Sequence, residues 1–452
     1  MTAYSRNQPG KYKRLALSPP QILVLGFASI ITLGALLLTL PVFTVPGKQT
    51  DFLTALFTAT SAMCVTGLVV VDTGTHWTVP GQVLILLLIS TGGLGFMTMA
   101  MIFFIIMGKQ IGLRSRLLIQ ESLNQINIQG VVRLVKTILF FTLGTELLAA
   151  CILGTWWGRE MGPGRGAWFG LFHSVSAFNN AGFDLFGDFR SLTGYKTDPV
   201  VNLTVTSLII IGGLGFSVVY DLWKNYKEKK RLSVHSRLVI TTTAILLVTA
   251  TILIMLLEWN AALRGLPLHG KILASYFQGV TPRTAGFNTV DLSTLRPTTL
   301  FLIVILMFIG ASPGSTGGGI KTTTFSLLLL AAGSISSGRE DIEIYRKRIP
   351  FSQVYKALTI LLLAVLWVIL VTMVLTITEK ADFLTLLFET VSAFGTVGLS
   401  MNMTPQLSEA GRVLIILTMF LGRLGPITIA FALAQKRIHS RRKYPEEKII
   451  VG

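Results

Sequence analysis

The sequence predicts an all-α integral membrane protein of four tandem helix–pore loop–helix units, eight spans plus four re-entrant pore helices, in a pseudo-fourfold ring. Three observations lead there. Of the 452 residues 51% are hydrophobic and 13% charged, with a mean hydropathy of +0.67, which is the composition of a multi-span membrane protein and excludes a soluble core. Eight segments carry the roughly 20 apolar residues that a hydrocarbon core of about 30 Å requires. They are Pro20 to Val42, Gly81 to Met107, Val132 to Trp156, Pro199 to Trp223, Arg237 to Glu258, Thr298 to Gly333, Val354 to Thr376 and Gly411 to Ala434. Finally, the apolar stretch Asp51 to Leu68 returns near the far end as Asp382 to Leu399, identical at 10 of 18 positions, which marks an internal repeat.

The formal charge of +18 is topological. Taking both termini and every second connection as one side gathers 26 of the 39 basic residues there against 8 acidic ones, while the opposite side holds 10 basic and 12 acidic. The positive-inside rule makes the first side cytoplasmic, with both termini on it, in a cell (plasma) membrane. Nucleic acid is not an expected partner; membrane lipid is. Arg283, Lys321, Arg423 and Glu146 remain within the membrane span. Cys64, Cys151 and five scattered histidines lack metal-ligand spacing, so neither a metal centre nor a catalytic constellation is indicated and no enzyme is expected. The first apolar segment follows a basic start but is too long for a signal-peptide core, and is taken as a retained helix.

Pro19 and Pro20 suit a helix start. After the first span, Asp51 can cap a helix from Phe52 to Met63, only about 17 Å long at 1.5 Å per residue. It enters the membrane without crossing, so Cys64 to Leu68 is a return segment. The same order recurs three times. Phe172 to Phe183, Tyr276 to Phe287 and Phe388 to Leu399 each lead into a span, and the pivot glycines Gly67, Gly182, Gly286 and Gly398 are spaced by 115, 104 and 112 residues. The divisions are a cytoplasmic segment 1–19, units at 20–107, 108–223 (with its preceding linker), 224–333 and 334–435, and a cytoplasmic tail 436–452.

Non-helical backbone at membrane depth leaves carbonyls unpaired unless they lie within protein or line a wet cavity. Four such segments about an axis can point carbonyls inward in place of a cation's hydration shell. The lining would be Val65, Thr66 and Gly67; Asn180, Ala181 and Gly182; Thr284, Ala285 and Gly286; Thr396, Val397 and Gly398. None is charged, which suits a dehydrated monovalent cation better than a divalent one.

The third inner span is interrupted from Gly310 to Lys321, a run containing Ser312, Gly314, Ser315, Thr316, Gly317, Gly318 and Gly319. It nearly spells a phosphate-binding loop, but has an extra Ile before the Lys and no preceding strand. A movable gate beneath the return segments is the expected role, and a static kink the plainer one. Arg423, near mid-span, is costly there unless it faces protein or water. It would oppose cation exit, or join an ion pair for which Glu146 is the in-membrane counter-charge. Lys321 serves the gate or anchors the cytoplasmic end.

Asp72, Asp184 and Asp291 follow their pivot glycines closely, and would either concentrate cations at an outer mouth or cap extracellular loops. The hydroxyls of Thr66, Thr284 and Thr396 face the ion or pack behind it. The Gly-Gly-Leu-Gly-Phe strings at 92–96 and 212–216 suit close helix packing more than hinging, so only the third inner span is expected to be broken. Glu389 requires a hydrogen-bond partner that the sequence does not name.

These four return strings (V-T-G-L, N-A-G-F, T-A-G-F and T-V-G-L), the four-unit order and the glycine-rich break resemble the Trk/Ktr/HKT superfamily of cation translocators, and most of all its Ktr branch, across nearly the whole chain. The resemblance implies a K⁺ uptake pore with K⁺ held at the filter carbonyls and Na⁺ as an activator. It also implies no covalently bound cofactor and a homodimer on a cytosolic nucleotide-binding RCK ring of the KtrA type. Gly67, Gly182, Gly286 and Gly398 match the family's filter glycines, Gly310 to Lys321 its gating loop, and Arg423 the arginine of its fourth inner helix. Glycine at all four pivots accords with K⁺-preferring members, whereas serine at the first would favour Na⁺. An alternating-access Na⁺/K⁺ or H⁺/K⁺ symporter is the alternative. A non-transporting scaffold would leave four matched segments without a use.

Overall fold

The computed structural model describes residues 18–95, 131–228, 231–339 and 341–433. Expectations for the termini, for the first inner span beyond Gly95 and for the connection with Lys109, Arg114 and Arg116 fall outside those residues.

Among the described residues the outer helix of each unit is long and unbroken: Pro19–Leu38, Val131–Met161, Val234–Glu258 and Phe351–Thr378. All four contain stretches apolar enough to cross a membrane, and side chains such as Leu362, Leu366 and Ile369 are exposed along them, as a lipid-facing surface allows. The helices expected as pore helices are Phe52–Met63, Pro163–Phe178, Leu268–Val280 and Phe383–Gly395. They lie inside, with Phe57, Phe172, Phe277 and Phe388 fully buried.

The repeated Asp-Phe-Leu-Thr is a capping cassette. The Thr54 amide donates to Asp51 Oδ2 at 3.1 Å, and the Thr385 amide to Asp382 Oδ2 at the same distance. Each carboxylate thus satisfies an orphan donor of the first turn. A second device recurs where outer helices end. Buried Glu258 accepts from the Arg296 amide (3.0 Å) and Glu379 from the Ser408 amide (3.0 Å), each at the N-cap of its unit's inner helix. Outer and inner helices are thereby latched where the first ends and the second begins.

The inner helices correct one expectation. The break at 309–321 between Pro297–Phe308 and Thr322–Ser336 is present, but it is not alone. Pro199–Leu214 and Phe216–Glu228 meet at Gly215 with a bend of 94°, so the expected continuous span from Pro199 to Trp223 is broken. Glu409–Leu424 likewise stops at Gly425 before Pro426–Leu433, and Val79–Leu94 stops at Gly95. The three stops are glycines at φ +94°, +85° and +80°, a region side chains avoid, and after Gly425 the proline starts the next segment. The first glycine of each string does the close packing: a Cβ on Gly92, Gly212 or Gly422 would lie 1.9, 1.9 or 2.0 Å from the carbonyl oxygen of Met63, Phe178 or Phe394, at the end of a pore helix. One string therefore supplies both contact and stop. Among the described residues the four outer helices are unbroken, and the inner helices of units 2, 3 and 4 each come in two segments.

A second correction is small. Ile342–Ile344 and Lys347–Ile349 pair antiparallel in the connection that opens unit 4, turning at Tyr345 and Arg346, both with positive φ. The Arg237 guanidinium lies 4.0 Å from the Tyr345 ring centroid, which pins this hairpin to the base of the third outer helix.

Ties between units run in sequence order and then return to the start. Trp168 Nε1 donates to Gln82 Oε1 (2.8 Å), the Leu192 amide to the Asn288 carbonyl (3.1 Å), the Gly318 amide to Thr396 Oγ1 (3.0 Å) and Arg412 Nη1 to Thr54 Oγ1 (3.4 Å).

Candidate functional site

Three of the four short helices end on a widened turn. The amides of Thr66, Ala181 and Val397 donate to the carbonyls of Ser61, Ser176 and Ser392 five residues back, all at 2.8 Å, and the Ala285 amide donates to Thr281 at 3.0 Å. The chain then enters the left-handed region twice in each unit. Val65 and Gly67 have φ of +57° and +91°, Asn180 and Gly182 +57° and +70°, Thr284 and Gly286 +69° and +78°, and Thr396 and Gly398 +51° and +90°. Four unlike sequences share one backbone path, although valine and threonine bear real strain at positive φ. Hydroxyls that sequence reasoning missed brace that path. The Gly67 amide donates to Ser61 Oγ (3.1 Å), Ser176 Oγ to the Phe183 carbonyl (2.8 Å) and Thr281 Oγ1 to the Phe287 carbonyl. The signal was available, since Ser61, Ser176, Thr281 and Ser392 each stand five or six residues before a pivot glycine.

The four segments meet in a closed cycle. A Cβ on Gly67 would lie 2.4 Å from the Ala181 carbonyl oxygen, one on Gly182 2.8 Å from that of Ala285, one on Gly286 2.6 Å from that of Val397, and one on Gly398 2.1 Å from that of Thr66. The carbonyl before each pivot thus abuts a neighbouring segment's glycine, and only glycine fits. The threonine hydroxyls are used differently. Thr284 Oγ1 sits 3.1 Å from the Asn180 amide group and Thr396 Oγ1 accepts from the loop, whereas the buried Thr66 hydroxyl has no hydrogen-bond partner among the described residues.

Outside the four glycines lies a cavity of about 360 Å³, lined by all four of them and by Asp184, Asp188 and Asp291. Asp72 is not in that lining. It caps the short helix Thr73–His76 and accepts from the Phe189 amide (2.9 Å). Asp291 also caps, accepting from the Ser293 amide (3.0 Å). Burial pushes the Asp184 carboxyl up to about 7, opposed by the Phe186 amide and reinforced by the Asp72 carboxylate.

Beneath the segments lies the Gly310–Lys321 loop, stitched on several sides. The amides of Ser312 and Thr316 donate to the Gly213 (3.1 Å) and Gly212 (3.3 Å) carbonyls, and the Gly319 amide to that of Gly422 (3.3 Å). The Phe216 amide donates to the Gly314 carbonyl (2.9 Å). Ser312 Oγ and Thr322 Oγ1 are 3.0 Å apart, and Ser315 Oγ donates to the Ser312 carbonyl (2.6 Å). Gly317 and Gly318 pack against the hydroxyls of Thr284 and Thr396, where a Cβ would lie 2.0 and 2.5 Å away, and Gly310 packs on the Gly318 carbonyl. The amides of Ser312, Thr316, Gly318 and Gly319 are thus committed within the protein.

Arg423 closes the arrangement. Nη1 donates to the Thr316 carbonyl and Nη2 to the carbonyls of Gly92 and Gly93, the negative end of the first inner helix. Glu146 is not its partner, since that carboxylate accepts from Asn179 Nδ2 at 2.8 Å. Lys321 Nζ donates to the Gly317 carbonyl (2.7 Å). Lys321, Arg423 and Lys356 line a second cavity of about 320 Å³. Glu389, whose partner was open, accepts from Ser400 Oγ (2.8 Å) and Thr404 Oγ1 and so moors the loop beyond the fourth segment.

Comparison with known proteins matches this chain over residues 18–441 to a family model, TrkH, described as a cation transport protein. It is 46% identical to the Ktr system potassium uptake protein B of Bacillus subtilis, over 97% of this chain and 98% of that one. The chain belongs to the Trk/Ktr family. This Trk/Ktr protein is a multi-pass membrane transport protein, not an enzyme. It is 40% identical to the potassium/sodium uptake protein NtpJ of Enterococcus hirae, over 98% of this chain and 99% of that one. The crystal structure of the potassium transporter TrkH from Vibrio parahaemolyticus shares its fold, with a TM-score of 0.73 at 20% identity, covering 94% of this Trk/Ktr chain and 87% of that one.

Proposed function

We propose that this chain is the K⁺-translocating subunit of a Ktr-type uptake system. Its four units form a pseudo-fourfold ring in which the carbonyls of the four return segments select K⁺, and the Gly310–Lys321 loop with Arg423 is the gate. The observation that carries this reading is the closed cycle of four segments with one backbone path. Such a path holds successive carbonyls at fixed spacing without regard to side chains, which is what coordination of a dehydrated monovalent cation demands. The names of the two bacterial relatives support potassium, and that of the Enterococcus protein also sodium. On this reading Na⁺ modulates uptake, both termini are cytoplasmic in the cell membrane, and the working unit is a homodimer on a KtrA-type nucleotide-binding ring.

Between the two cavities the loop is the barrier. A cation entering from the outer cavity meets backbone oxygens, then a plug held by main-chain hydrogen bonds, then the lysine- and arginine-lined inner cavity. Opening requires the loop to leave its contacts at 212–213 and 422. The test is Rb⁺ tracer uptake in proteoliposomes, with and without Na⁺ and the cytosolic ring. Deleting Ser312–Gly317 should raise uptake about tenfold, the equivalent of about 1.4 kcal/mol off the barrier. Unchanged or lower uptake in protein that still purifies as a single species would remove the gate.

The outer mouth carries a pH dependence whose sign follows from Asp184. An acid raised to about 7 is largely neutral below that value and charged above it, so raising external pH from about 6 to about 8 adds negative charge to the outer cavity. Subsaturating uptake should rise over that interval, and Asp184→Asn should flatten the rise. An identical pH profile in the variant would reassign the effect to another group.

A further inference from the structure

Three residues before each pivot glycine stand Cys64, Asn179, Arg283 and Gly395. In unit 2 this position does more than pack. Asn179 is 1% exposed; its Nδ2 donates to Glu146 Oε1 (2.8 Å) and to the Val175 carbonyl (2.9 Å). Its Oδ1 has no hydrogen-bond partner among the described residues and lies where a Cβ on Gly93 would come within 2.1 Å. Glu146 is itself buried within the second outer helix and makes no ion pair among the described residues. A carboxyl at that depth is costly, and an aliphatic side chain would fill the space at no such cost. What the carboxyl adds is an oxygen aimed at Asn179.

That contact is the first of a series. Asn179 precedes Asn180, held at φ +57° in the second return segment. On its other side Asn179 rests on Gly93, whose carbonyl, with that of Gly92, receives Arg423 Nη2, while Nη1 of the same guanidinium holds Thr316 of the loop. Glu146, Asn179, Gly93, Arg423 and Thr316 therefore form one unbroken line of contacts from an outer helix, past the second return segment, to the loop.

We propose that Glu146 is a positioning residue for ion selection: through Asn179 it fixes the second filter segment and registers that segment against the Arg423–loop gate. This rests on the filter-and-gate reading above. Without the Glu146 oxygen, Asn179 Nδ2 keeps only the carbonyl of its own pore helix, and the strained backbone at Asn180 is free to relax.

The test compares Rb⁺ and Na⁺ tracer fluxes in proteoliposomes for wild type, Glu146→Leu, Glu146→Gln, Gly93→Ala and Gly182→Ser. Glu146→Leu should lower the Rb⁺/Na⁺ ratio about tenfold, the effect of one lost buried hydrogen bond on relative barriers. Glu146→Gln keeps an accepting oxygen and should stay within about twofold of wild type. Gly93→Ala pushes on Asn179 from the opposite side and should lower the ratio as Glu146→Leu does, which keeps the test decisive if the leucine variant fails to purify as a single species. With Arg423→Ala already present, Glu146→Leu should still lower the ratio but change total flux no further. A wild-type ratio in Glu146→Leu or in Gly93→Ala overturns the proposal, and so does a Glu146→Gln ratio as low as that of the leucine variant. If Gly182→Ser itself leaves the ratio unchanged, the filter reading has failed; if it lowers the ratio while Glu146→Leu does not, only this proposal has.

Discussion

Arg423→Ala should raise Rb⁺ uptake about tenfold in proteoliposomes without any cytosolic partner, an effect worth about 1.4 kcal/mol. Two losses act in the same direction. The guanidinium clamps the Thr316 carbonyl to those of Gly92 and Gly93, so its removal frees the loop from the first inner helix. It also places a fixed positive charge in the lining of the inner cavity. A unit charge roughly 7 Å from a passing cation opposes it by about 2 kcal/mol at an effective dielectric near 20. Arg423→Lys separates the two contributions, because lysine keeps the charge without the planar fork that spans two carbonyl groups. Its uptake should fall between wild type and the alanine variant. Wild-type uptake in Arg423→Ala would mean that the loop is held by its other contacts alone.

Gly398→Ser should reduce the Rb⁺/Na⁺ flux ratio about a hundredfold, or near 3 kcal/mol in relative barrier height. Gly398 combines a φ of +90° with the tightest approach of the four, 2.1 Å from a prospective Cβ to the Thr66 carbonyl oxygen. The backbone strain alone is about 1–2 kcal/mol, and relieving the clash must move a carbonyl proposed to hold the ion. The geometry also ranks the series. Serine at Gly67 (2.4 Å), Gly286 (2.6 Å) and Gly182 (2.8 Å) should be progressively milder. A flat series would show that side-chain chemistry, not carbonyl displacement, sets the ratio.

Much of the site is legible in the sequence because the proposed chemistry is done by backbone. The pivots at 67, 182, 286 and 398 must be glycine wherever a neighbouring carbonyl passes that close, and such a demand survives when surrounding side chains do not. The Asp51 and Asp382 caps are legible for a similar reason, since capping needs one side-chain type at one offset. The stops at Gly215 and Gly425 were not legible. The string that allows Gly212 to touch Phe178 also contains the glycine that ends the helix, and periodicity cannot separate contact from termination. The hairpin at 342–349 turns on Tyr345 and Arg346, without the Asn-Gly signal that announces such turns. The partners of Glu146 and Glu389 depend on tertiary placement: Asn179 lies 33 residues from the first, and Ser400 and Thr404 lie 11 and 15 from the second.

Among the described residues the four outer helices run without interruption, while the inner ones stop at Gly95, Gly215, residues 309–321 and Gly425. If the loop gates conduction as proposed, joints confined to the inner helices would let the bore change while the outline in the membrane plane stays constant. Lateral tension does work only on a change in that outline. On that reading, Rb⁺ uptake through this protein should be indifferent to bilayer stretch.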